Sequence, residues 1–194
     1  MNFYISDLHF GSENRYENRD WKTDQRIIQN WNQTVSRNDT VYILGDVCRE
    51  ANAGDGSYLL DILAKLNGKK VLITGNHDRH LGEKVRACFT EICDYKETTD
   101  CYDGKRYRVI LSHYPILIWR GQHYRMIHLY GHVHCTEEWN IYTNALKNLN
   151  EYFAMNATQG RGGFPRVEAY NVGCMVPYMN FTPRTLKELR STNP

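Results

Sequence analysis

Short apolar runs alternate with helix-spaced apolar faces along the first half of the chain. Phe3-Tyr4-Ile5, Thr40-Val41-Tyr42-Ile43-Leu44 and Lys70-Val71-Leu72-Ile73-Thr74 are continuous runs of the kind that form strands covered on both faces. Between the first two, Ile27, Ile28, Trp31 and Val35 fall on one face of a helix from Asp24 to Val35, with Thr23 or Asp24 near its N-cap. A second helix is expected from Tyr58 to Leu66, ended by Asn67-Gly68. This β-α-β-α-β order predicts a parallel sheet with right-handed crossovers.

The second half reads as more β-rich. Tyr107–Leu111, Met126–Tyr130 and Val167–Val172 are strand candidates. Thr182-Pro183 precedes a last helix at about Arg184–Arg190, with Pro183 near its first turn. From Glu137 to Pro165 the pattern has no obvious role. Ala145, Leu146, Leu149, Tyr152 and Phe153 are helix-spaced, whereas Asn156–Pro165 is Gly-rich and reads as a loop. Patterning alone therefore supports a mixed α/β fold. The expected organisation is one domain over 1–194, with an insertion or lid at about 137–165.

Composition narrows the class. The chain has 194 residues, 41% hydrophobic and 24% charged, enough to bury a core and unlike a disordered segment. Charge sums to 24 − 22 = +2, too balanced for a protein dedicated to extended duplex nucleic acid. No run of 18 apolar residues suggests a membrane span, and the opening residues lack a basic and then apolar leader. The expected location is the cytoplasm. Six cysteines are scattered without a C-x-x-C pair, so free thiols are expected rather than a zinc ribbon or a disulfide framework.

The chemistry lies where the expected strands end. Asp7 and His9 follow the first strand, Gly45-Asp46 the second and Gly75-Asn76-His77-Asp78 the third. Ser112-His113 and Gly131-His132-Val133-His134 follow two strands of the second half. In open α/β sheets, ligands bind beyond the carboxyl ends of the strands. Three carboxylates, five imidazoles and one amide would converge there, at high desolvation cost unless a cation compensates them. Oxygen and imidazole donors without thiolate suit Mn²⁺, Fe or Zn²⁺, and the set is too large for one open catalytic ion. Two ions are the natural reading, as in sites that clamp both oxygens of a phosphoryl displacement.

The ordered series D-x-H, G-D, G-N-H-D, H and G-H-x-H resembles the calcineurin-like metallophosphoesterase superfamily, over residues 7 to 134. Ser6-Asp7-Leu8-His9-Phe10-Gly11 and Ile28-Gln29-Asn30-Trp31-Asn32 resemble, more narrowly, a compact bacterial and phage group. The resemblance implies a four-layer α/β/β/α sandwich. It implies that Asp7, His9 and His134 hold one metal, that Asn76, His113 and His132 hold the other, and that Asp46 bridges them. The ions would be Mn²⁺ or Fe, with Zn²⁺, Ni²⁺ or Mg²⁺ as alternatives. A metal-bridging hydroxide would attack phosphorus directly, without a covalent intermediate. His77 would bind a phosphate oxygen or protonate the leaving group, and Asp78 would fix the His77 tautomer or tune its charge.

The residues after the motifs reject some relatives. Gly45-Asp46-Val47-Cys48-Arg49-Glu50 lacks the Asp-Arg-Gly run of the protein phosphatases, and His77 stands where the lipid A pathway hydrolases carry arginine. A small phosphodiester or phosphomonoester remains, with diesters slightly favoured. Asn14, Arg19 and Arg49 are candidate substrate contacts, because guanidinium forks suit phosphate oxygens. His80 and His123 read as surface residues, and His128 as packed within a strand. The alternative is a binding or scaffold protein on a retired phosphoesterase fold, against which all seven metal-binding positions are intact.

Overall fold

The computed structural model describes residues 1–12, 21–49, 56–158 and 164–192. Two four-stranded sheets carry it. The first has strand order β1-β2-β3-β4, with β1 Asn2–Ile5, β2 Thr40–Ile43, β3 Lys69–Ile73 and β4 Glu91–Cys93, all parallel. Helix α1 (Trp21–Thr34) connects β1 to β2, and α2 (Ser57–Lys65) connects β2 to β3. Both helices were legible because their apolar positions recur at helical spacing, and Ile27, Trp31, Leu59, Ile62 and Leu63 are buried. A short helix, α3 (Glu83–Arg86), precedes β4.

The second sheet has the order β5-β6-β7-β8, with β5 Tyr95–Tyr102, β6 Lys105–Ser112, β7 Ile127–Tyr130 and β8 Ala169–Asn171. β5 and β6 form an antiparallel hairpin, while β6, β7 and β8 run parallel. Alternation along these strands divides the core. Val109, Leu111 and Leu129 pack into the cluster shared with the first sheet. Ile110 and Tyr130 face the other way, against Tyr142, Leu146 and Phe153 of α4 (Glu137–Thr158). Helix, sheet, sheet and helix thus stack in the four-layer α/β/β/α order.

Several expectations need correction. β4 and β5 were not anticipated. The loop expected from Asn156 begins at least three residues later, since α4 continues to Thr158. The last helix, α5 (Leu186–Thr192), starts two residues late because Thr185 caps it. The Glu188 carboxylate accepts the Thr185 N–H at 2.8 Å, and the Glu188 N–H reaches the Thr185 hydroxyl at 3.3 Å, a reciprocal capping box. The expected substrate contacts Asn14 and Arg19 lie outside the described residues, as does Gly160-Arg161-Gly162-Gly163. None of the six cysteines forms a disulfide. Among the described residues, no helix is long and apolar enough to cross a membrane.

Candidate metal centre

Five parallel strands deliver the site from one edge. β1 ends two residues before Asp7, β2 three before Asp46, β3 three before Asn76, β6 directly before His113 and β7 two before His132. The connecting loops are laced together by backbone hydrogen bonds. The Asp7 N–H donates to the Gly45 carbonyl at 3.0 Å, His9 N–H to the Asp46 carbonyl at 2.9 Å, and Gly131 N–H to the His113 carbonyl at 2.9 Å. Beyond β1, Ser6 pairs with Val172 and Cys174, which ties the first sheet to the chain leaving β8.

The donors cluster in three groups. Asp7, His9 and His134 form one; His9, Asp46 and His77 a second; Asp46, His113 and His132 a third. Within each group the candidate ligand atoms lie within 4.8 Å of one another. One Asp46 oxygen, Oδ2, stands 3.7 Å from His9 Nε2 and 3.5 Å from His113 Nε2, between the two halves of the site. Asn76 joins the third group through its Oδ1, 3.0 Å from His113 Nε2.

Two of the candidate donors are aimed by partners behind them. His113 Nδ1 meets the Leu44 carbonyl at 2.7 Å, which directs Nε2 toward Asp46 and Asn76. Asp7 accepts the His132 N–H on both oxygens at 3.1 Å, and its Oδ2 lies 2.8 Å from the Ser6 hydroxyl. Burial pushes the Asp7 carboxyl above its usual range, opposed by His134 and His113. A buried acid of this kind beside another carboxylate and four imidazoles needs positive charge, and the oxygen and nitrogen donors present fit divalent cations.

Strain marks the same positions. Asp7, His9, Asp46, His132 and His134 all have positive φ, between 42° and 70°. Non-glycine residues adopt this region rarely, at about 1 kcal/mol or more each, and such strain concentrates at functional sites. Two glycines permit the close packing. A Cβ on Gly75 would run into the Asp46 carboxylate and come 2.7 Å from its backbone nitrogen. A Cβ on Gly131 would strike the Ser6 hydroxyl and approach Asp7 Oδ2 to 2.8 Å.

His77 and Asp78 separate in the fold. His77 lines the site, its N–H donating to Asp46 Oδ1 at 3.0 Å. Asp78 is fully buried and turned away. Its Oδ2 accepts the N–H groups of Asp46 and Gly75, both at 2.8 Å, and its Oδ1 accepts Val47 N–H at 3.0 Å. No hydrogen bond joins it to His77, so the expected control of the His77 tautomer is replaced by a staple between the second and third motif loops.

A cleft of about 140 Å³ opens over the donors, lined by His9, Ser12, Asp46, Arg49, Asn76, His77, His132 and His134. Arg49, one of the expected substrate contacts, lies on the wall of this cleft. Ser12 was missed, because a lone serine after Gly11 carries no periodic or motif signal. A groove of about 950 Å³ between α4, β8 and α5 is larger but shares none of these residues. Donor chemistry, not cavity size, identifies the site.

The comparisons agree with this geometry. The family model for calcineurin-like phosphoesterases matches residues 3–158. The gene 66 protein of Mycobacterium phage D29 is 30% identical over 158 residues, covering 68% of this chain and 77% of its own. The crystal structure of a protein of unknown function from Aquifex aeolicus superposes with a TM-score of 0.64 at 25% identity, covering 99% of this chain and 98% of its own. A Pseudomonas putida nuclease overlaps 69% of this chain and 61% of its own with a TM-score of 0.45 at 24% identity, too loosely to bear on activity. The strand-end order of the donors, their grouping around Asp46 and the family match over 3–158 place this chain in the calcineurin-like phosphoesterase family.

Proposed function

We propose that this protein is a dimetal phosphoesterase that hydrolyses a small phosphate ester, diesters in preference to monoesters, by direct attack of an activated water. The observation that carries the reading is Asp46, whose carboxylate belongs to two donor groups at once. Asp7, His9 and His134 would hold one ion, Asn76, His113 and His132 the other, and Asp46 both. When bound, the ions supply Lewis-acid charge and lower the pKa of water. Mn²⁺ or Fe suits the donors best, with Zn²⁺, Ni²⁺ and Mg²⁺ as alternatives.

The protein groups do the rest. Arg49 on the cleft wall orients the phosphoryl oxygens through its guanidinium fork. It is the one basic side chain other than histidine among the described lining residues, which matches a diester monoanion better than a monoester dianion. The His77 imidazole gives its proton to the departing oxygen, and its backbone bond to Asp46 fixes where that imidazole begins. Ser12 has no hydrogen-bonded base among the described residues, so no activated hydroxyl competes with water as nucleophile.

The test is a paired assay. The stripped protein is reloaded with each metal and offered bis-p-nitrophenyl phosphate beside p-nitrophenyl phosphate, with Asp46→Asn as control. Metal-dependent turnover favouring the diester, lost in Asp46→Asn together with metal, is the expected result. A monoester preference corrects the substrate. Two bound ions without turnover of any ester would favour the scaffold alternative, and failure to bind metal would overturn the proposal.

A further inference from the structure

We infer that Tyr114 is a stacking platform for a nucleobase on the substrate, and so a specificity-determining residue beside the metal centre. The inference rests on the phosphoesterase reading and names a substrate class for it. Tyr114 directly follows His113, and its ring centroid lies 5.1 Å from that of His113 and 4.6 Å from that of His132, both edge to face. It packs against two residues of the site, yet 47% of it remains exposed. Its hydroxyl has no hydrogen-bond partner among the described residues.

The segment that carries it is pinned. The Ser112 hydroxyl donates to the Tyr114 carbonyl at 2.6 Å. Ile116 is held from both sides, its N–H donating to His128 Nε2 at 3.1 Å and its carbonyl accepting the Tyr142 hydroxyl at 2.8 Å. Gln122 Nε2 donates to the Leu117 carbonyl at 3.0 Å, and the Trp119 indole to the Met126 carbonyl at 2.8 Å. The backbone is fixed while Tyr114, Leu117 and Ile118 stand 47%, 42% and 72% exposed. A preordered aromatic surface costs little entropy on binding.

Size assigns the occupant. A cleft of about 140 Å³ lined by polar groups takes a phosphoryl group and little more. The remainder of a substrate must leave across the rim, and His132 is the cleft residue on which Tyr114 packs. Tyr114 is flat and packs on His132 of the cleft wall, so it selects a planar ring over a flexible chain. Base stacking on an aromatic tolerates any base.

Calorimetry on the Mn²⁺-loaded protein tests this with two ligands that cannot be hydrolysed, the 5′-phosphonate of thymidine and butylphosphonate. The wild type is expected to bind the nucleoside compound roughly 5- to 100-fold more tightly. Tyr114→Phe keeps that preference and Tyr114→Ala abolishes it, with butylphosphonate binding unchanged in both. Equal affinities in the wild type, no binding of either ligand, or a preference that survives in Tyr114→Ala would overturn the inference. So would an equal loss of both ligands in Tyr114→Ala, which would show that Tyr114 merely supports His132. Turnover of bis-p-nitrophenyl phosphate by the same samples reports separately on the phosphoesterase reading.

Discussion

His77 and Asp78 are sequence neighbours with opposite surroundings. His77 faces the cleft, and its replacement by alanine is expected to lower kcat by roughly 10²–10⁴ while metal content stays intact. Metal analysis decides this, because His77 also sits within ligand distance of His9 and Asp46; loss of an ion would make it a ligand. Asp78 acts through the backbone. Asp78→Ala leaves the N–H groups of Gly75, Asp46 and Val47 without their acceptor, at a cost of about 3–5 kcal/mol measurable by denaturant unfolding. A loss below about 1 kcal/mol would mean that these amides find other partners. The motif G-N-H-D told that both residues mattered but not which way Asp78 turned. Side-chain direction after a strand depends on the neighbouring loop, here the one after β2.

At the level of elements, β5 shows why a strand can be invisible in sequence. Lys96-Glu97-Thr98-Thr99-Asp100 is polar throughout, and no apolar alternation marks it. Its inward groups are satisfied across the sandwich: the Tyr4 hydroxyl donates to Asp100 at 2.9 Å, and Tyr42 reaches Thr98 at 3.5 Å. His128 on β7 is the converse, a fully buried polar residue that the pattern placed within a strand. Burial holds its pKa near 4, below the ordinary 6.5. Between these values the unfolded chain takes up a proton that the folded protein refuses. Stability from His128 is therefore complete above about 6.5 and lost as pH falls toward 4, by about 3 kcal/mol in all. Denaturant midpoints from pH 7 to 4 should fall less steeply in His128→Gln than in wild type. Parallel curves would show that His128 does not titrate in this window.

Across the whole molecule, two sheets present five loops at one edge, and on the proposed function a cation bound there would add to the stability of the fold. Ligands that bind only the folded state add about 2.7 kcal/mol per site at 100 times Kd. Reloading the stripped protein with Mn²⁺ should raise Tm, and Asp46→Asn should remove most of that rise. An unchanged Tm in the wild type would mean that the buried acids are compensated without an ion. The sequence by itself determined the parallel first sheet, the strands that end in donors and the identity of those donors, because apolar runs and the residues after them are local. Only the tertiary structure decided that Asp46 stands between two groups, that Asp78 faces backbone amides, that Arg49 lines the cleft and that Tyr114 packs on His132 of its wall. Those placements join residues as far apart as Asp7 and His132, and they follow from how the sheets register and pack, which no local spacing encodes.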